Sequence, residues 1–97
     1  MKRYLLFVLN DYHTDRECLF GWNDFKYDFD SIDDALLYAM NLPLLDFATI
    51  EVIDTTTKGA AVKNGQWIYC TKKQLGIHLS DRKNDWPENY RIWFESR

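Results

Sequence analysis

Little in this chain punctuates or reacts. Among 97 residues there are four glycines, two prolines, two cysteines and two histidines. The glycines stand apart at 21, 59, 65 and 76, each readable as a turn or bend, so no Gly-rich phosphate cradle is present. Cys18 and Cys70 lack the close pairing of structural zinc ligands, and a site built from Cys18, Cys70, His13 and His78 would have unusual gaps. Long apolar runs are missing too. Tyr4 to Leu9 ends at Asn10-Asp11, short of the roughly 7–15 apolar residues of a secretory signal. No stretch approaches the roughly 20 needed to span a bilayer. These absences predict a cytoplasmic protein with no membrane partner and reduced thiols; a Cys18–Cys70 disulfide is the competing reading.

Reactive constellations are equally thin. His13 sits between Asp11 and Asp15 with Cys18 close behind, but a nucleophile needs its base within about 3 Å and a third group orienting that base. Four such residues in one loop read as a polar loop. Asp28-x-Asp30-x-x-Asp33 has carboxylates at calcium-like spacing, without the Gly of the sharp turn or the closing Glu. The expectation is no metal, no cofactor and no enzyme.

What the chain does have is apolar and aromatic mass: 46% hydrophobic residues, with four Trp, six Tyr and six Phe. That suits one ordered domain over 1–97. The net charge of −3 hides an asymmetry. Residues 1–57 carry eleven Asp/Glu against four Lys/Arg, and residues 58–97 carry four against eight. Two readings compete, a charged interaction surface and neutralisation of one half by the other.

Periodicity places the elements. Arg3 to Asn10 is apolar on both parities and predicts a central strand covered on both sides. Leu19 to Phe29 predicts a second, antiparallel strand. Strict alternation in Asp24-Phe25-Lys26-Tyr27-Asp28-Phe29-Asp30 puts the rings on a core face and the charges on the other. Ser31 caps a helix through Met40, with Asp33 and Asp34 where the helix dipole favours carboxylates. Its core face is Ile32, Ala35, Leu36, Ala39 and Met40. Phe47 to Thr55 is a third strand, and Asn64-Gly65 joins two short strands, Ala60 to Lys63 and Gln66 to Cys70. Thr71 to Gln74 has the form of a capping box before a short helix. Ser80 to Glu88 is polar and irregular, and alternation in Tyr90 to Glu95 predicts a last strand. The order is that of an α+β fold, an antiparallel sheet of about five to six strands with one main helix on one face and a short second helix.

Tyr4-Leu5-Leu6-Phe7, Gly21-Trp22-Asn23-Asp24-Phe25, Phe29-Asp30-Ser31 with Ala35, Ile53-Asp54 and Gly59 form a pattern over residues 3–59. It resembles a family of small bacterial and phage-associated α+β proteins of unknown function. The resemblance implies a fold and transfers no catalytic residue. Residues 66–97 lie outside it.

Two surfaces follow. The first is acidic: Asp24, Asp28, Asp30, Asp33 and Asp34 frame Leu37 and Tyr38 on the outward side of the main helix. That is the composition of an interface centre with a charged rim. It points to a protein partner with a basic surface, and the alternative is that Leu37 packs inward and the carboxylates are merely solvated. The second is basic and aromatic: Lys72, Lys73, Arg82, Lys83 and Arg91 among Trp67, Tyr69, Trp86 and Trp93, the kind of set that holds single-stranded nucleic acid. Overall acidity opposes it. The leading expectation is a small protein-binding inhibitor or adaptor. Its sharper form is a phage anti-defence factor, anti-CRISPR-like, competing for a basic channel. The alternatives are a nucleic-acid-binding module and a ligand-binding protein.

Overall fold

The computed structural model describes residues 1–10 and 24–97, and the Asp11, His13, Asp15, Cys18 and Gly21-Trp22 readings lie outside them. The fold is α+β. Strands β1 (Tyr4–Leu9), β2 (Phe25–Phe29), β3 (Thr49–Asp54), β4 (Gly59–Ala60), β5 (Val62–Lys63), β6 (Gln66–Trp67) and β7 (Tyr69–Thr71) accompany helices α1 (Ile32–Met40), α2 (Lys72–His78) and α3 (Glu88–Glu95). A 3₁₀ segment, Ser80–Asp85, joins α2 to the stretch before α3.

β1 lies between β2 and β3, antiparallel to both, and its second parity is buried as the double apolar pattern requires. The inner face carries Leu6, Val8, Ile50 and Val52, which join Ala35, Leu36, Ala39 and Met40 of α1 in one core with Leu75, Leu79, Trp86 and Tyr90. The predicted Ser31 cap is in place, its hydroxyl accepting from the Asp34 N–H at 3.1 Å.

β3 is the organising strand because it pairs with two others on its far side. Thr49–Glu51 pair with β7, and Ile53–Asp54 pair with β4. Between them Val52 meets both. Its N–H donates to the Ile68 carbonyl (3.0 Å), the Ile68 N–H to the Ala61 carbonyl (2.8 Å), and the Ala61 N–H back to the Val52 carbonyl (2.7 Å). All three residues are buried. This closed ring splits each predicted strand in two, at Ala61 and at Ile68, and turns the β5–β6 hairpin out of the main sheet. At its tip Asn64 and Gly65 both take positive φ, 53° and 78°, as a two-residue turn of this kind demands.

One predicted element changes type. Residues 90–95 form part of α3, not a strand. Six residues satisfy both periods, and packing decides: Tyr90, Trp93 and Phe94 form an i, i+3, i+4 stripe facing the core. Pro87 precedes the helix, and Glu88 in the first turn suits the helix dipole. The stripe lands on α2 at Gly76, where a Cβ would sit 2.6 Å from Phe94 Cε2 and 2.9 Å from Trp86 Cη2. Glycine is required there by the close approach of rings to backbone.

Tyr90 fastens that contact. Its hydroxyl accepts from the Gly76 N–H (2.9 Å) and donates to the Lys72 carbonyl, the two groups that an α-helical turn would join directly. The capping box at the head of α2 is complete, with Thr71 and Gln74 each bonding the other's backbone N–H. Burial pushes the Tyr90 phenol up to about 12, so it stays neutral. Tyr90→Phe removes this bridge from one turn of α2 and should cost about 0.5–1.5 kcal/mol. Thermal unfolding checks this; an unchanged midpoint would show that the bridge contributes nothing to stability.

Candidate functional site

The site begins with an irregularity in β2. Leu6 pairs with Tyr27, but its neighbour Phe7 pairs with Phe25, a register shift that makes Lys26 the extra residue. Directly opposed residues share a face, so Phe25 joins Phe7 on the outer face, their rings 5.6 Å apart at 62°. Tyr27 and Phe29 remain on the inner face, with α1. The expected single aromatic row is thus divided, because strict alternation in sequence does not survive a bulge.

Nor is that row a core. β2 is the edge of the sheet beside α1, and Tyr27 keeps 53% of its surface exposed and Tyr38 38%. The two rings lie 6.0 Å apart, with Phe29 at 5.7 Å from Tyr27 and 5.3 Å from Tyr38. Three rings in mutual contact form an aromatic patch open to solvent. Asp34 is one helical turn before Tyr38 on the same stripe, and exposed Asp30 leads into the helix.

The remaining predicted carboxylates have other duties. Asp33 is half-buried, 2.9 Å from Lys63 Nζ at the hairpin and 3.4 Å from Arg82 of the 3₁₀ segment. It ties three elements together. Asp28 lies opposite Leu5 on the outer face and accepts the Lys2 backbone N–H at 2.7 Å, which holds its carboxyl below the usual range. Asp30 has only a loose pairing, 3.8 Å from Lys2 Nζ. Asp24 is half-buried in the turn before β2. Leu37, expected on the surface, is half-buried against the core. Of the predicted set Tyr38 joins Tyr27 and Phe29, with Asp34 one helical turn before it, while Asp30 lies with Lys2. Tyr27 and Phe29 escaped notice because they were assigned to the interior.

Sequence reasoning also missed Asp54. Its carboxylate is buried on the inner face and receives the Arg3 guanidinium in a two-pronged bridge, 2.9 Å on each side, plus the Thr56 N–H. The Arg3 bonds hold it below the ordinary carboxylate range. A strand-ending Asp with an Arg fifty-one residues earlier carries no local signal.

The basic and aromatic C-terminal set is largely engaged with its own chain. Trp86 is buried, its Nε1–H donating to the Leu79 carbonyl at 3.0 Å. Trp93 donates to Asp46 and has Lys72 Nζ at 4.2 Å and the Arg97 guanidinium at 5.0 Å from its ring centre. Lys73 sits over Phe94, Lys83 pairs with Glu95 at 3.0 Å, and Arg82 with Asp33 and Asp85. A shallow depression of about 400 Å³ near Lys83, Trp86 and Arg91 also exposes Glu88 and Glu95, so its charge is mixed. Cys70 is a buried free thiol, pushed up to about 12 by burial and therefore unreactive.

His78 supplies a pH signature. Burial, then the Lys63 charge, holds its imidazole below the ordinary 6.5. The unfolded chain takes up that proton more readily than the folded one, so stability is full above about pH 6.5 and falls as pH drops below it. Glu51, raised by burial from 4.5, acts with the opposite sign at lower pH. His78→Gln should therefore flatten the fall in melting temperature between about pH 7.5 and pH 5.5. An identical slope in both proteins would assign the effect to other groups.

No family model matches the chain, and neither a curated protein nor a solved structure is similar to it.

Proposed function

We propose that this protein acts by docking on another protein, through the Tyr27–Phe29–Tyr38 patch with Asp30 and Asp34 as its rim. The observation that supports this reading most is the exposure of Tyr27 and Tyr38 in a cluster of touching rings. Burying such rings is favourable by about 25 cal/mol per Å² of apolar area, and rigid aromatics lose little entropy on binding. Tyr is among the residue types that dominate interface energetics. The flanking carboxylates favour a partner with Lys or Arg around an apolar centre, which speeds encounter and selects partners.

The inhibitor reading fits this surface in reduced form. A competitor for a basic nucleic-acid channel would present Asp30 and Asp34, while Asp33 is committed to Lys63 and Arg82. The nucleic-acid module is disfavoured by the internal engagement of Lys72, Lys73, Lys83, Trp86 and Trp93.

Affinity capture from the source cell, repeated with a Tyr27→Ala/Tyr38→Ala variant, tests the proposal. Exposed substitutions of this kind should shift stability by only about 0.5 kcal/mol each. A species retained by the wild-type protein should be lost by the double variant and weakened by Asp30→Asn/Asp34→Asn, more so at low salt. Retention of every bound species by the folded double variant would sink the proposal.

A further inference from the structure

The ring patch runs out to the longest open edge of the sheet. On the far side β4 and β7 are two and three residues long, while β2 at the near end has five. An edge strand keeps a row of backbone N–H and C=O groups turned away from its neighbour. Among the described residues none meets the backbone of residues 26–29 on that side, since β1 takes only the other.

Helix α1 stands over this edge. Tyr27 and Phe29 are on the inner face, where Tyr38 of the helix meets both rings. A strand laid beside β2 would place every second side chain on that face, opposite Tyr27 and Phe29 and next to Tyr38. Its other side chains would fall on the outer face with Asp28.

Charge along the edge is incompletely answered by the chain itself. Among the described residues Lys26 takes no ion pair and Asp30 has only the loose one to Lys2, while Asp28 accepts a backbone N–H and no cation. A bulge and a lysine are common guards against indiscriminate edge pairing. Here they leave a short edge that selects its partner by charge as well as by shape.

We propose that the partner docks by adding an extended segment, antiparallel, to β2; this rests on the docking reading above and names the form of the partner's segment. Main-chain hydrogen bonds hold the segment to the edge, and its alternate aliphatic side chains seat on the Tyr27, Phe29 and Tyr38 rings. Its remaining residues match β2 by charge, basic opposite Asp28 and Asp30 and acidic beside Lys26. The antiparallel sense continues that of the β1 pairings and is the more stable per residue.

The probe is the peptide acetyl-Ser-Lys-Val-Lys-Val-Glu-Ser-amide, whose central residues lie opposite Asp30, Phe29, Asp28, Tyr27 and Lys26 in that register. Titrated into the ¹⁵N-labelled full chain, it should give saturable NMR shifts at residues 26–29 and slow the exchange of alternate amides there. Two analogues separate backbone pairing from side-chain docking, one N-methylated at both valines and the other at both lysines. In an added strand one set of N–H groups faces β2 and the other faces solvent. One analogue should therefore bind about tenfold or more weakly, the scale for losing such bonds, and the other like the parent. Tyr27→Ala/Tyr38→Ala should weaken the parent peptide about tenfold. The charge-reversed peptide acetyl-Ser-Glu-Val-Glu-Val-Lys-Ser-amide should bind less well at low salt. Absence of saturable binding, like behaviour of the two methylated analogues, or equal binding of the charge-reversed peptide would overturn strand addition. The capture experiment decides the docking reading separately: a species lost by the double variant, with no strand addition to β2, means that the patch meets a folded surface instead.

Discussion

Three backbone hydrogen bonds around Val52 set the shape of the molecule. A strand has one free edge on each side, and β1 occupies one edge of β3. Two short strands share the other, and both can do so only by parting where they meet. The Val52–Ile68–Ala61 ring is that parting point, and it leaves no backbone group unpaired where the three residues are buried. Each bond adds only about 0.5–1.5 kcal/mol net, but an unmade one in this position would cost about 1–3. From the ring follow the outward course of the hairpin, the display of Trp67, and the reach of Lys63 back to Asp33.

That reach resolves the charge asymmetry. The acidic first half and basic second half meet at Asp33, which holds Lys63 and Arg82. They meet again at Asp46 with Arg97, and at Leu44, whose carbonyl receives Lys72 Nζ. Most exposed pairs of this sort contribute little to stability. Lys63 and Asp33 are better sheltered, and their pairing fixes the hairpin against α1. Among the described residues Asp34, beside the ring patch, takes no ion pair, and Asp30 has only the loose one to Lys2.

Elements with strong local signals were legible in the sequence: the Ser31 cap, the Asn64-Gly65 turn, the Thr71–Gln74 box, the two-sided burial of β1 and the α+β class. Each depends on residues within a few positions of one another, or on a period sustained over a whole element. The failures share the opposite property. Residues 90–95 satisfied two periods, and the choice came from Gly76, fourteen residues before Tyr90. The β2 alternation was broken by a bulge whose cause is pairing with Phe7 and Leu6. Leu37 and Asp33 were placed by the helix wheel alone, which omits the hairpin and the C-terminal segment that close over α1. Of the acidic site the composition was readable, while the partners that occupy Asp28 and Asp33 were not, since Lys2, Lys63 and Arg82 all come from distant parts of the chain.

Native-state amide hydrogen exchange tests the central role of the Val52 ring most directly. The amides of Val52, Ala61 and Ile68 should exchange only through global unfolding, with protection equal to that of Leu6 and Ile50 in the middle of the sheet. Gln66 and Trp67 beyond the ring should open at lower free energy. If the three amides exchange as fast as the hairpin tip, the ring does not hold the sheet and the hairpin is not a braced element.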